Sequence, residues 1–217
     1  PSQHGAYSLG TKLLEDRHTV GEDFRHADYR TALIGKAHFQ PLHGTETYPS
    51  LEAYPVLQDL DFWRDFHGPF YGFEWVELAR NHTDEAHVGQ HYALWLEEKG
   101  CDNWRDYFRT PTGNTDDQYR TWPIPEACHY DAWIAERTNA RLEHYAEGEE
   151  RFFLWASFFD PHPKYLVPEP WNTMYDPNEV TVPEKTPEEH ATNPPHFQRT
   201  QEPDPDFSAW QEPEGNA

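Results

Sequence analysis

The sequence predicts an α/β fold organised on parallel strands, and three observations point there. Thr31 to Ile34 is a short apolar, β-branched run that follows a capped helix, the α-to-β half of a βαβ unit. Phe152 to Phe158, Phe-Phe-Leu-Trp-Ala-Ser-Phe, is a second continuous apolar run and also follows a helix. Both runs break abruptly, at Gly35 and at Asp160-Pro161, and each break is followed by a histidine, His38 and His162. Ligands of open α/β sheets bind just beyond the carboxyl ends of the strands, so two such ends lying side by side can supply one site.

Pro1 to Lys12 reads as a polar loop, in which His4-Gly5 either lines a pocket or is exposed. Thr19 caps a short helix with Glu22 as capping-box partner, and Val20, Phe24 and Ala27 share one face. The Thr31–Ile34 strand reads as buried on both faces, as parallel strands usually are. Lys36 and His38 come next, one residue apart. They either face an anionic substrate or are a solvated loop charge and a satisfied loop histidine. Gly44 to Gly68 has no clean period, apart from a short helical turn within Asp61 to Gly68. Tyr71 to Leu78 alternates apolar and acidic residues at its end, which suits a half-buried strand.

Asn81 to His87 gathers titratable residues. Either Asp84 caps the next helix beside surface histidines, or His82, Asp84 and His87 form a metal site. Val88 to Lys99 reads as a helix closed by Gly100. Cys101 to Glu126 is a long polar excursion. His129 to Glu147 is the clearest helix, with an inner stripe of Tyr130, Ile134, Thr138, Leu142 and Tyr145, and Trp133 and Ala140 beside it. Phe152 to Phe158 then reads as a buried central strand. From Lys164 onward the prolines exclude a continuous helix or a central strand. The remainder, to Ala217, either wraps the surface or is partly disordered.

The 217 residues suffice for one sizeable core or a large piece of one. Acidic residues outnumber basic ones 39 to 17, a net charge of -22. That argues against a nucleic-acid backbone or an anionic membrane as partner, since both need a basic face. Aromatic residues make up 16% of the chain, which is core-forming material rather than a solvating, disordered composition. No apolar run approaches the length of a membrane span. Cys101 and Cys128 fit neither a zinc pattern nor Cys-x-x-Cys. Two free, partly buried thiols are expected, with a disulfide as the alternative. The chain starts without methionine and ends in a polar, proline-rich tail, so it is expected to be an internal piece of a longer protein.

Two blocks, Ala27 to His38 and Phe152 to His162, together resemble the sulfatase family within the alkaline-phosphatase-like superfamily. Met174-Tyr175-Asp176-Pro177 is similar to the family's loop after the second histidine, and Tyr71-Gly72-Phe73 with Gly89-Gln90-His91-Tyr92 to its middle section. The blocks follow in order over about Pro1 to Pro183. The resemblance implies a three-layer α/β/α sandwich around a mostly parallel mixed sheet, incomplete here. Residues 1–183 would be part of the catalytic domain, and 184–217 a tail or its continuation.

The resemblance further implies hydrolysis of sulfate esters or sulfamates by a formylglycine made from the cysteine of a Cys-x-Pro-Ser-Arg motif, together with a calcium ion. Neither cysteine of this chain sits in such a motif. The calcium ligands are expected outside the chain, before Pro1 and after Ala217, and the isolated chain is expected to be inactive. By the same resemblance Lys36 contacts sulfate and nucleophile, and His38 stabilises the nucleophile's hydrated hydroxyl and helps turn over the covalent intermediate. His162 contacts the sulfate and protonates the leaving alcohol, and His4 lines the pocket. Fixed positive groups there oppose the negative charge that develops in the transition state, and imidazoles carry protons.

The implied partner is a small-molecule or carbohydrate sulfate ester, with no nucleic acid and no membrane, in a periplasmic or extracellular setting. Trp104, Trp122 and Trp171 either stack a sugar ring or pack the core. The alternatives are a phosphodiesterase or phosphonate hydrolase of the same superfamily, and a non-catalytic binding module with the same fold.

Overall fold

The computed structural model describes residues 3–7, 10–41, 43–46, 49–80, 85–101, 103–109, 119–162, 164–184, 186, 188, 191–194 and 197. The chain divides into two units, Pro1–Asn172 and Thr173–Ala217.

In the first unit, helix α1 (Val20–His26) starts on the expected capping box. The Thr19 hydroxyl accepts the Glu22 N–H, and the Glu22 carboxylate accepts the Thr19 N–H. Strand β1 (Arg30–Gly35) follows. Helix α2 (Leu60–Asp65), capped by the Asp59 carboxylate, precedes strand β2 (Trp75–Leu78). Then come α3 (Gln90–Glu98), α4 (Trp104–Phe108), β3 (Tyr119–Trp122), α5 (Tyr130–Glu147), β4 (Phe152–Ser157) and β5 (Tyr165–Pro168). Strands β2, β1 and β4 form a parallel sheet in that order, with Gly35 opposite both Leu78 and Ser157. Strands β3 and β5 pair, also parallel, in a separate two-stranded sheet.

Strand β1 is buried on both faces because successive side chains enter different cores. Ile34 packs with Tyr92 and Leu96 of α3 and with Trp133 and Ile134 of α5. Leu33 packs with Trp63 of α2 and with Phe73, Val76 and Leu78. Each fully buried side chain of this size contributes on the order of 2 kcal/mol.

Three expectations are corrected here. Strand β2 is buried rather than half-buried. Glu77 is only 4% exposed because Arg137 of α5 covers it with two charged hydrogen bonds, Nε to Oε2 at 2.5 Å and Nη2 to Oε1 at 3.0 Å. Strand β4 is an edge strand of the three-stranded sheet, not its centre, and Phe152, Trp155 and Phe158 stay exposed. An apolar run reports hydrophobic content but not position in a sheet, and β1 takes the centre because both its edges are paired. Cys101 and Cys128 form a disulfide instead of remaining free thiols. They lie at the end of α3 and at the start of α5, and the packing of those two helices brings them together.

The long excursion contains α4 and β3, and its Trp104 and Trp122 are buried in the core; Trp171 is exposed. In α5 the buried residues are Tyr130, Trp133, Ile134 and Tyr145, whereas Leu142 is exposed. His82 and Asp84 lie outside the described residues, and His87 closes a short 3-10 turn. In the second unit Asp176 caps a 3-10 turn at Pro177–Glu179; residues 198–217, and with them the reading of the tail, lie outside the described residues. No described helix is long and apolar enough to cross a membrane.

Candidate functional site

Three strand ends meet at one edge of the sheet, and a glycine makes the meeting possible. Gly35 has φ +108°, and a Cβ there would lie 2.0 Å from the Ser157 carbonyl oxygen, so only glycine lets β1 end this close to β4. Beyond it the Lys36 N–H donates to Ser157 O at 3.1 Å, and the Ala79 N–H donates to Gly35 O at 3.0 Å. The residues that follow each strand leave the sheet together: Lys36 to His38 after β1, Arg80 after β2, and Asp160 to His162 after β4.

Lys36 is half-buried, with Nζ 5.8 Å from the centroid of the Phe159 ring. Burial lowers its pKa, the Arg80 charge lowers it further, and Glu52 opposes both. His38 adopts the left-handed backbone conformation, φ 59°. Its pKa falls to about 4, chiefly through burial, then through the charges of Arg80, Lys36 and His162. The ring is therefore neutral at pH 7.

The loop that carries His38 is held by Glu52, which is 1% exposed. Its Oε1 accepts the His38 N–H at 2.7 Å and its Oε2 accepts the Gln40 N–H at 2.6 Å. Burial raises the Glu52 pKa, against the opposing Arg80 charge and these backbone donors. The Gln40 side chain extends the lock, donating to the Tyr71 hydroxyl at 3.2 Å and accepting the Leu51 N–H at 2.6 Å. Arg80 is 5% exposed, and burial lowers its pKa against the Glu52 charge.

His162 is exposed in the turn after β4, where its N–H donates to Phe159 O at 3.1 Å. Two residues earlier the Asp160 Oδ2 accepts the Tyr130 hydroxyl at 2.8 Å, which ties this turn to the start of α5. His4 is exposed, and its Nδ1 accepts the Ala6 N–H at 3.2 Å. It lines a cavity of about 540 Å³ together with His38, Phe39, Tyr71, Phe73 and Trp155.

The structure thus brings both Lys36 and His162 within electrostatic reach of His38. His4 shares the cavity with His38, while Lys36 and His162 lie outside its walls. Two residues of this neighbourhood escaped the sequence reading. Arg80 was accessible to the same strand-end rule that singled out Lys36, since it stands two residues past the end of β2. Glu52 carried no signal, because it sits in the stretch without a period. Among the described residues no group of three or more His, Cys, Asp or Glu could hold a metal ion.

Neither a family model nor a curated protein sequence matches the chain. Among solved structures, the phosphonate monoester hydrolase SpPMH from Silicibacter pomeroyi is similar, with a TM-score of 0.53 and 19% identity. The match covers 90% of this chain and 37% of that one. At this identity the likeness shows a shared α/β fold alone; the chain spans little more than a third of that hydrolase's length.

Proposed function

We propose that this chain carries the anion-binding sheet edge of a hydrolase of the alkaline-phosphatase-like type, a three-layer α/β/α fold, acting on sulfate esters or sulfamates. The observation that supports the reading is the convergence of Lys36, His38 and His162 beyond two neighbouring strand ends, in a chain whose net charge is -22. A lone cation on so acidic a surface would be ordinary. A lysine held half-buried beside further cations is kept against a desolvation cost, and an anionic group offsets that cost.

In this reading the Lys36 ammonium binds a non-bridging sulfate oxygen and stabilises the charge that grows on it. The neutral His38 accepts a proton from the hydroxyl of the attacking group. His162, on the exposed side, donates a proton to the departing alcohol oxygen. His4 borders the cavity beside His38. The formylglycine nucleophile and the calcium ligands belong, in this proposal, to polypeptide beyond the present chain, and calcium when bound would polarise the sulfate oxygens.

A second reading, hydrolysis of phosphonate monoesters, is supported by the fold likeness to SpPMH. Fold does not decide between the two. The test is to express the complete open reading frame and assay an aryl sulfate beside an aryl phosphonate monoester. Faster sulfate hydrolysis, lost in Lys36→Ala, is expected. Preference for the phosphonate ester would move the assignment to the second reading. A folded protein inert toward both would reduce the chain to a non-catalytic binding module.

A further inference from the structure

We propose that Arg80 is a substrate-binding residue, a guanidinium fork that holds two oxygens of the substrate's sulfate or phosphonate group beside Lys36. This rests on the function proposed above and adds a residue that neither the motifs nor the comparisons assign.

The geometry begins with the register. Leu78 pairs with Gly35, and the Ala79 N–H bonds to Gly35 O at 3.0 Å, so Arg80 leaves the sheet edge next to the segment that carries Lys36 and His38. The side chain does not escape to solvent. Arg80 is 5% exposed, and its Nε is buried with no hydrogen-bond partner among the described residues. Buried polar groups in folded proteins are nearly always paired, and an unpaired guanidinium N–H is costly.

Glu52 provides the nearby negative charge, yet its two oxygens already accept the N–H groups of His38 and Gln40. Glu52 therefore balances one positive charge while its oxygens anchor the loop. Lys36 and Arg80 thus share the Glu52 carboxylate as their facing negative charge. A sulfate monoester and a phosphonate monoester each present a singly charged tetrahedral group with oxygens to bind. A planar guanidinium offers two parallel N–H groups matched to two such oxygens, whereas an ammonium acts as a point charge. Arg80 would fix the orientation of the ester and Lys36 would supply charge.

The experiment titrates inorganic sulfate into the whole chain and follows the arginine Nε–H signals by NMR, with the Arg80 signal assigned by its loss in Arg80→Lys. Sulfate is expected to shift the Arg80 Nε–H and slow its exchange with water. Arg80→Lys keeps the charge beside Glu52, so the fold survives, and sulfate affinity should still fall about tenfold as the fork is lost. An unmoved Arg80 signal, or full affinity in Arg80→Lys, while Lys36→Ala abolishes binding, would overturn the role of Arg80 and leave the proposed function standing. If the unaltered chain binds no sulfate and the Arg80 signal does not respond, the role of Arg80 is overturned, while the aryl ester assay of the complete protein decides the proposed function separately.

Discussion

The backbone N–H of His38 donates to the Glu52 carboxylate at 2.7 Å, across 14 residues of chain. That bond, paired with the one from Gln40 at 2.6 Å, holds a non-glycine residue at φ 59°. Left-handed backbone is disfavoured for such a residue, and it persists where the surroundings over-determine it. Glu52 therefore sets where the His38 imidazole stands.

Removing that acceptor should be visible in stability. Glu52→Ala strands two N–H groups, and about 2 kcal/mol of unfolding free energy should be lost in urea titration. Glu52→Gln keeps one acceptor oxygen and should lose less. An unchanged midpoint in Glu52→Ala would show that the loop is held by other contacts.

His91 makes the fold sensitive to acid. Its Nδ1 accepts the Leu78 N–H at 2.9 Å and its Nε2 lies 2.8 Å from Phe66 O, so the ring is bound in its neutral form, and burial, then the charge of His67, depresses its pKa to about 3. An unfolded histidine titrates near 6.5. Between these values the unfolded chain binds the extra proton, so stability falls as pH drops from about 6.5 to about 3. Urea midpoints measured across that window should decline, and His91→Gln should flatten the slope. A parallel decline in the variant would assign the acid sensitivity to other groups.

The Glu77–Arg137 pair should be worth more intact than its parts. Glu77 is 4% exposed, and Arg137→Ala would leave its carboxylate buried and uncompensated. A loss of about 3 kcal/mol is expected. The double variant Glu77→Gln with Arg137→Met should recover part of it, and a double-mutant cycle checks the coupling.

His162 should matter to turnover and not to folding. It is exposed on a turn after β4. In the complete enzyme His162→Ala should reduce kcat by about a hundredfold or more, as loss of a general acid does, with an unchanged thermal midpoint. Undiminished turnover would remove His162 from the site.

The sequence made some of this legible and hid the rest for physical reasons. The capping box at Thr19 and Glu22, the buried β1 and the long α5 are local patterns, readable from neighbours in the chain. Lys36, His38 and His162 stood out because each follows an abrupt end to an apolar run. Strand order was not readable: Phe152 to Ser157 looks as central as Thr31 to Ile34, and only pairing on both sides distinguishes β1. Glu77 misled for a related reason. An acidic residue in an alternating strand signals solvent, unless a distant arginine answers it, and Arg137 lies 60 residues away. The Cys101–Cys128 disulfide likewise depends on the approach of α3 to α5.

In the proposed site an anionic ligand would reach Lys36 and Arg80 through the field of a chain of net charge -22. At distance an anion meets the repulsive field of the whole molecule; within the first few ångströms it meets two fixed cations. Added salt screens the long-range repulsion, because the Debye length is about 10 Å at 0.1 M, and weakens short contacts in a half-buried site much less. The association rate of an anionic ligand should therefore rise with ionic strength while its dissociation rate changes little, the reverse of ordinary electrostatic steering.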